Sequence, residues 1–379
     1  HEVAAMVSCL EELAGEGGRY VHFGLTSNDI IDTATLLQIS EAGNRILEMT
    51  KALGLLLAKR ANETRRLLCV ARTHGMHAEV YTYGIRFSVW LSEVVRSYQR
   101  ISNAISDARV GKISGAVGTY VGMGENGMKV EERVLSEFGL RRLQVTTQVV
   151  PRDIFSSVIM QLAALSSVLD RMATNVRNLQ RTEISEVSEA RSEQQVGSSA
   201  MPQKMNPIGS EKVSGLARIV RSLALASLEN ISLWDERDLT NSSTERVMFP
   251  ETFGLVSEQL KTMIEVMEGL KLNDDQIRKN LDLNAGEIYS EFIMRAMVES
   301  GMGRAQAHKM MREAIAQSRK SGVDLLTLLL KDQVVVSKLG EPRLKALMDP
   351  RVVLPFSEKI VNGTVTEAEG ILQVTQESY

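Results

Sequence analysis

A chain of 379 residues with a formal net charge of −3 has no global basic field, which excludes nonspecific nucleic-acid binding by phosphate neutralisation yet leaves room for a small anionic substrate. Its only cysteines, Cys9 and Cys69, have no metal-ligand spacing and make no disulfide framework. No signal peptide and no apolar run of about 18 residues is visible, so a cytoplasmic protein with no membrane partner is expected.

The chain begins at His1 in mid-pattern: Val3, Met6, Val7 and Leu10 already mark one helix face. An upstream segment is therefore expected, and residues 1–27 read as the remnant of an N-terminal helical domain. Residues 28–281 read as a central domain of long helices, for which seven prolines leave room. Apolar spacing predicts helices over 34–67, 83–110, 152–189, 211–231 and 250–270. The third is the clearest. Phe155, Val158, Leu162, Leu165, Leu169, Met172, Val176 and Leu179 alternate by three and four, with no strand-like period of two. A helix over 152–189 would be roughly 55 Å long and could bury its seam only against neighbours of similar length. The expected fold is all-α, an up-and-down bundle, and heptad seams of this kind favour an oligomer. Residues 282–379, broken by Gly301, Gly303, Gly322, Gly340 and Pro342, read as a small helical C-terminal domain.

Four polar segments interrupt the helical pattern. In His22–Asp29, Thr26, Ser27 and Asn28 suit helix capping, or a ring of donors around an anion. In Arg72–Glu79, His74 and His77 are three apart. They could share a helix face and bind metal, be held in a core, or serve as acid and base. The run Gly197-Ser198-Ser199-Ala200-Met201-Pro202-Gln203-Lys204-Met205-Asn206-Pro207 combines a glycine, two hydroxyls and a lysine. It ends in a helix start with Asn206 as cap, Pro207 in the first turn and Glu211 soon after. In Trp234–Arg246, Arg237 and Arg246 could grip a carboxylate or phosphate among many hydroxyls. The glycine stretch Gly111–Thr119 has neither the Gly-Lys-Ser/Thr ending of a triphosphate loop nor a strand before it.

The loop at 197–207 resembles the signature of the fumarate-releasing lyases. With HFGLTSNDIIDTA, RTHGMHAE, GKISGAVGTY, TTQVVPRD and WDERDLTNSSTERVMFP in order over nearly the whole chain, the sequence resembles the adenylosuccinate lyases. That resemblance implies an all-helical homotetramer with composite active sites built from three subunits, no metal and no organic cofactor. It implies β-elimination of fumarate from small anionic nucleotide substrates: adenylosuccinate, giving AMP, and the succinylated aminoimidazole carboxamide ribotide.

By the same resemblance His74 is the general acid, Ser198 the general base with Ser199 able to exchange roles, and Glu211 the partner of the acid histidine. Lys204 and Asn206 hold the succinyl carboxylates. Thr26, Ser27, Gln148, Arg237, Ser242 and Arg246 contact substrate, and His1 matches a second functional histidine, with His22 as its alternative. Val80 stands where the family often has proline, Gln203 and Met205 vary, and part of the phosphate-binding set lies upstream of His1. The alternatives are another fumarate-releasing lyase, such as argininosuccinate lyase, and a noncatalytic scaffold.

Overall fold

The seam from Phe155 to Leu179 lies on a single helix, Arg152–Leu179, in a computed structural model that describes residues 2–190, 201 and 204–373. All eight seam side chains are buried, none more than 5% exposed. The described helices are α1 (Glu2–Leu13), α2 (Ser27–Glu63), α3 (Tyr83–Ala108), α4 (Gly127–Glu137), α5 (Arg152–Leu179), α6 (Ile208–Glu229) and α7 (Thr240–Gly269). They continue with α8 (Asp274–Asp282), α9 (Ser290–Glu299), α10 (Arg304–Ser321), α11 (Leu325–Lys331), α12 (Gln333–Leu339), α13 (Glu341–Leu347) and α14 (Leu354–Gln373). The fold is all-α, as expected.

Side-chain bridges give the direction of each long helix. At one end, the head, Arg152 at the start of α5 donates to Asp32 near the start of α2 at 2.8 Å and faces Glu245 near the start of α7 at 3.4 Å. At the other end, the tail, Arg60 of α2 donates to the carbonyls of Met267, Glu268 and Leu270 where α7 finishes. These carbonyls have no partner within their own helix, and the guanidinium meets them with the charge that the end of a helix favours. So α2, α5 and α7 run in parallel. Helix α3 starts at the tail, where the Gly84 N–H donates to the Thr64 carbonyl. Helix α6 ends at the head, where Ser227 meets Ser156. The result is an up-and-down bundle about 42 Å long, taking the 28 residues of α5 at about 1.5 Å each.

Three helix boundaries differ most from expectation, the first being α2, which starts at Ser27 rather than at 34, where the Asp29 carboxylate reaches back to the Thr26 N–H. Helix α5 stops at Leu179 rather than near 189, because Ser185 takes a left-handed turn (φ 49°) and Val187–Ser188 pairs with Lys271–Leu272. Helix α7 starts at Thr240, and Pro250 lies inside it although it lacks the N–H that would bond back to residue 246. By length and mean hydropathy alone α5 would qualify to cross a membrane. Its apolar face is instead covered by α3, α6 and α7, as befits a core helix.

The segment between α2 and α3 is an antiparallel hairpin, β1 (Leu68–Thr73) and β2 (Met76–Thr82). His74 and Gly75 form its turn, with φ of 54° and 79°. Two successive positive φ values are what a two-residue hairpin turn needs. His74 and His77 therefore do not share a helix face: one is at the tip and the other lies across from Arg72. Val70 and Val80 of this hairpin join Leu281, Ile293, Met297, Leu325 and Leu344 in a second core. Helix α14 turns back onto α2 and α3 and contributes Val361, Val365 and Leu372 to the bundle core, so the described residues 282–373 serve both cores.

Candidate active site

At the head, Asp29 organises the substrate-binding candidates. Its carboxylate accepts the N–H groups of Thr26 (2.8 Å), Ser114 (2.9 Å) and Gly115 (3.1 Å), and pairs with the wholly buried ammonium of Lys112. This draws the glycine stretch 111–120 onto the start of α2, which Ser27 opens. The Ser114 hydroxyl meets that of Thr146 at 3.0 Å. Gly118 (φ 79°) passes so close that a Cβ would lie 2.2 Å from the Thr146 carbonyl oxygen, so no other residue fits there. Next along, the Gln148 N–H donates to the Glu236 carbonyl, and Val150 N–H to Asp32.

Arg237 and Ser242 follow in the same region. Burial and the neighbouring Arg152 cation hold the Arg237 guanidinium below its usual range, and its Nη1 is buried with no partner among the described residues. Burial pushes the Glu245 carboxyl up, against the pull of Arg152. Arg246 is exposed and pairs with Glu2 at 3.2 Å. His22 sits four residues before Thr26 in left-handed backbone, its Nε2 buried without a partner among the described residues. The head thus gathers Thr26, Ser27, Gln148, Arg237, Ser242 and Arg246, all donors suited to an anionic ligand.

The tail holds His74, Lys204, Asn206 and Glu211. His74 is exposed at the hairpin tip. Lys204, Asn206 and Glu211 line one open cleft of about 950 Å³ with Arg177 and Arg181. Pro207, not Asn206, takes the cap position of α6, and helical geometry begins at Ile208. Among the described residues His74 makes no hydrogen bond or ion pair with Glu211, and no group of three His, Cys, Asp or Glu side chains could hold a metal ion. Ser198, Ser199 and His1 lie outside the described residues.

The sequence reading missed the groups that hold these segments: the buried Lys112, Arg152 and Glu186 and the half-buried Gln180 and Glu189. Their one visible signal is polarity inside or beside a helical pattern, which ordinary surface positions share.

A family model described as Lyase matches residues 2–222, and one described as Adenylosuccinate lyase C-terminus matches residues 286–363. The chain is 42% identical to the adenylosuccinate lyase of Pyrococcus abyssi over 369 residues, which is 97% of this chain and 82% of that one. It is 38% identical to the adenylosuccinate lyase of Thermotoga maritima over 349 residues, covering 92% and 80% of the two chains. Among solved structures it resembles a fumarate lyase from Mesorhizobium sp. BNC1, with TM-score 0.87, 30% identity, and 96% and 82% coverage. A 3-carboxy-cis,cis-muconate lactonizing enzyme from Pseudomonas putida superposes with the same TM-score of 0.87, at 26% identity and with 96% and 82% coverage. On its helical architecture and these matches along most of its length, the chain belongs to the adenylosuccinate lyase family.

Proposed function

We propose that this protein eliminates fumarate from adenylosuccinate, leaving AMP, and from the succinylated aminoimidazole carboxamide ribotide, leaving the carboxamide. Ser198, with Ser199 beside it, takes the proton from the carbon next to a succinyl carboxylate. That C–H pair becomes the new C=C bond, the C–N bond breaks, and His74 gives a proton to the departing nitrogen. Negative charge builds on a carboxylate that is already charged, so fixed donors must surround it. Lys204 and Asn206 do this, while Glu211 of one copy orients His74 of another. Thr26, Ser27, Gln148, Arg237, Ser242 and Arg246 grip the nucleotide, with His1 as a further contact. The reaction so written calls on no metal and no organic cofactor, and it belongs to the cytoplasm.

One observation carries the reading and sets its form. His74, Lys204 and Glu211 lie at the tail and Thr26, Arg237 and Arg246 at the head, roughly 40 Å apart along α5. No nucleotide spans that distance. The two sets meet only if the tail of one copy lies beside the head of another, which favours a homotetramer with antiparallel bundles and composite sites.

The test is fumarate release by the purified protein offered adenylosuccinate, the succinylated ribotide or argininosuccinate. Release from the two purine substrates is expected. Release from argininosuccinate alone would transfer the protein to that activity, and nucleotide binding without any release would leave a scaffold.

A further inference from the structure

Residues 180–189 and 205–210 are tied together by a closed ring of hydrogen bonds. Gln180, the residue after α5, donates through Nε2 to the Met205 carbonyl at 3.1 Å and accepts the Glu189 N–H at 3.0 Å. The Glu189 carboxylate accepts the N–H of Gly209 at 3.0 Å and of Ser210 at 2.9 Å, together with the Ser210 hydroxyl. These are orphan donors at the start of α6, where the helix dipole favours a negative charge. The approach is too tight for a side chain at position 209. A Cβ on Gly209 would lie 2.7 Å from Val266 Cγ2 and 3.1 Å from Glu189 Oε2. One residue after Glu189, Ala190 is pressed against Gly269, where an added Cβ would come within 2.5 Å.

The ring fixes the chain from Met205 to Ser210. Lys204 directly precedes that stretch, Asn206 lies within it, and Glu211 directly follows it. Capping by a carboxylate 20 residues upstream is more than a helix start requires, since a residue at the cap itself could serve. What the distant cap adds is a fixed position for α6 relative to the end of α5.

We propose that Glu189 is a positioning residue for fumarate release: through the start of α6 it sets Lys204, Asn206 and Glu211 in register, and Gln180 locks the opposite edge of the same ring. The proposal rests on the functional reading above.

Glu189→Ala, Glu189→Gln and Gln180→Ala in the full chain test it by three readouts: steady-state kinetics with adenylosuccinate, the melting temperature, and hydrogen exchange at the Gly209 and Ser210 amides. Glu189→Ala is expected to lower kcat about 10–100-fold, the scale of loss that small misplacements cause, with a Tm close to the parent's. Glu189→Gln, which keeps an acceptor oxygen, recovers most of kcat, and Gln180→Ala lies between. The two amides exchange faster in Glu189→Ala. A kcat within about twofold of the parent in Glu189→Ala overturns the proposal. So does a loss that follows the Tm downward with no rescue by Gln, because that marks a stability role only. The parent is assayed first: a parent without fumarate release defeats the functional reading. Exchange needs no turnover, so unchanged exchange at both amides defeats the inference on its own.

Discussion

Arg72 Nη2 and Glu186 Oε1 meet at 2.6 Å, and this pair joins the strand that leads to His74 with the segment that leads to Glu189. The Glu186 carboxylate is wholly buried and also accepts the Tyr83 hydroxyl at 2.7 Å and Asn280 Nδ2 at 2.9 Å. Burial pushes this carboxyl up, but the Arg72, Tyr83 and Asn280 donors outweigh it and hold it below the usual carboxylate range.

Glu186→Ala strands Arg72 and Arg86 without their counter-charge, at a cost of about 3–5 kcal/mol, and a large fall in Tm is expected. Glu186→Gln keeps the acceptor and falls less. Because the folded-state pKa is lowered, the carboxylate's contribution is present above its ordinary pKa and is lost as pH falls through the folded value. The gap in Tm between the parent and Glu186→Gln should therefore narrow on acidification, and a pH series of thermal melts checks it. A gap that widens toward low pH would mean that the charge is not what stabilises the hub.

Subunit mixing tests the composite site. His74→Gln alters the tail and Arg237→Ala the head, and each is expected to be nearly inactive alone. If one copy supplies the tail and another the head, each site in a randomised mixture has one chance in two of a sound tail and one in two of a sound head. About one quarter of parental activity should then return after exchange. A site contained in one chain would recover nothing.

The parts legible in the sequence were those set by period and by local chemistry. The seam from Phe155 to Leu179 repeats long enough to name its helix and its buried face. The hairpin at 68–82 was not read, although Thr-His-Gly-Met carries a turn signal: histidine is among the few non-glycine residues that tolerate positive φ. Pro250 hid the first ten residues of α7 behind a residue that usually ends or starts a helix. The candidate catalytic groups were singled out through the resemblance of their segments to the adenylosuccinate lyases. Their supports were not, since Glu186 meets a partner 114 residues away and Lys112 one 83 residues away, and no local pattern encodes such a meeting. That His74, Lys204 and Glu211 lie at one end of the bundle and Thr26, Arg237 and Arg246 at the other follows only from helix direction.

The Asp29–Lys112 pair is wholly buried and joins the start of α2 to the glycine stretch. Lys112→Met is expected to destabilise by about 3–5 kcal/mol, because it leaves a buried carboxylate without its cation. Asp29→Asn/Lys112→Met should cost less than the sum of the single changes, a coupling that a double-mutant cycle of thermal or denaturant unfolding measures directly. The variants should also raise KM for adenylosuccinate, since Thr26 and Ser27 depend on the same anchor. Strict additivity would show that the two charges do not support each other.

Glu79 on β2 and Glu291 on α9 face each other as two carboxyls, beside a groove that also carries His308, Arg312 and Arg319. A hydrogen bond to Glu291, burial and the charge of Glu291 push the Glu79 carboxyl up to about 7. A protonated Glu79 can donate to Glu291 and so tie the hairpin to the C-terminal helices. With the folded-state pKa raised, this contribution is complete below the ordinary carboxylate pKa and is lost as pH rises through about 7. Glu79→Gln replaces the titrating donor by a permanent one. It should raise Tm near about pH 8, where the parent pair repels, and leave Tm unchanged near about pH 4.5. The pair is partly exposed and water screens it, so the gain should not exceed about 2 °C. Thermal melts of parent, Glu79→Gln and Glu291→Gln across that range decide it: equal curves at every pH would show that the two carboxyls do not share a proton.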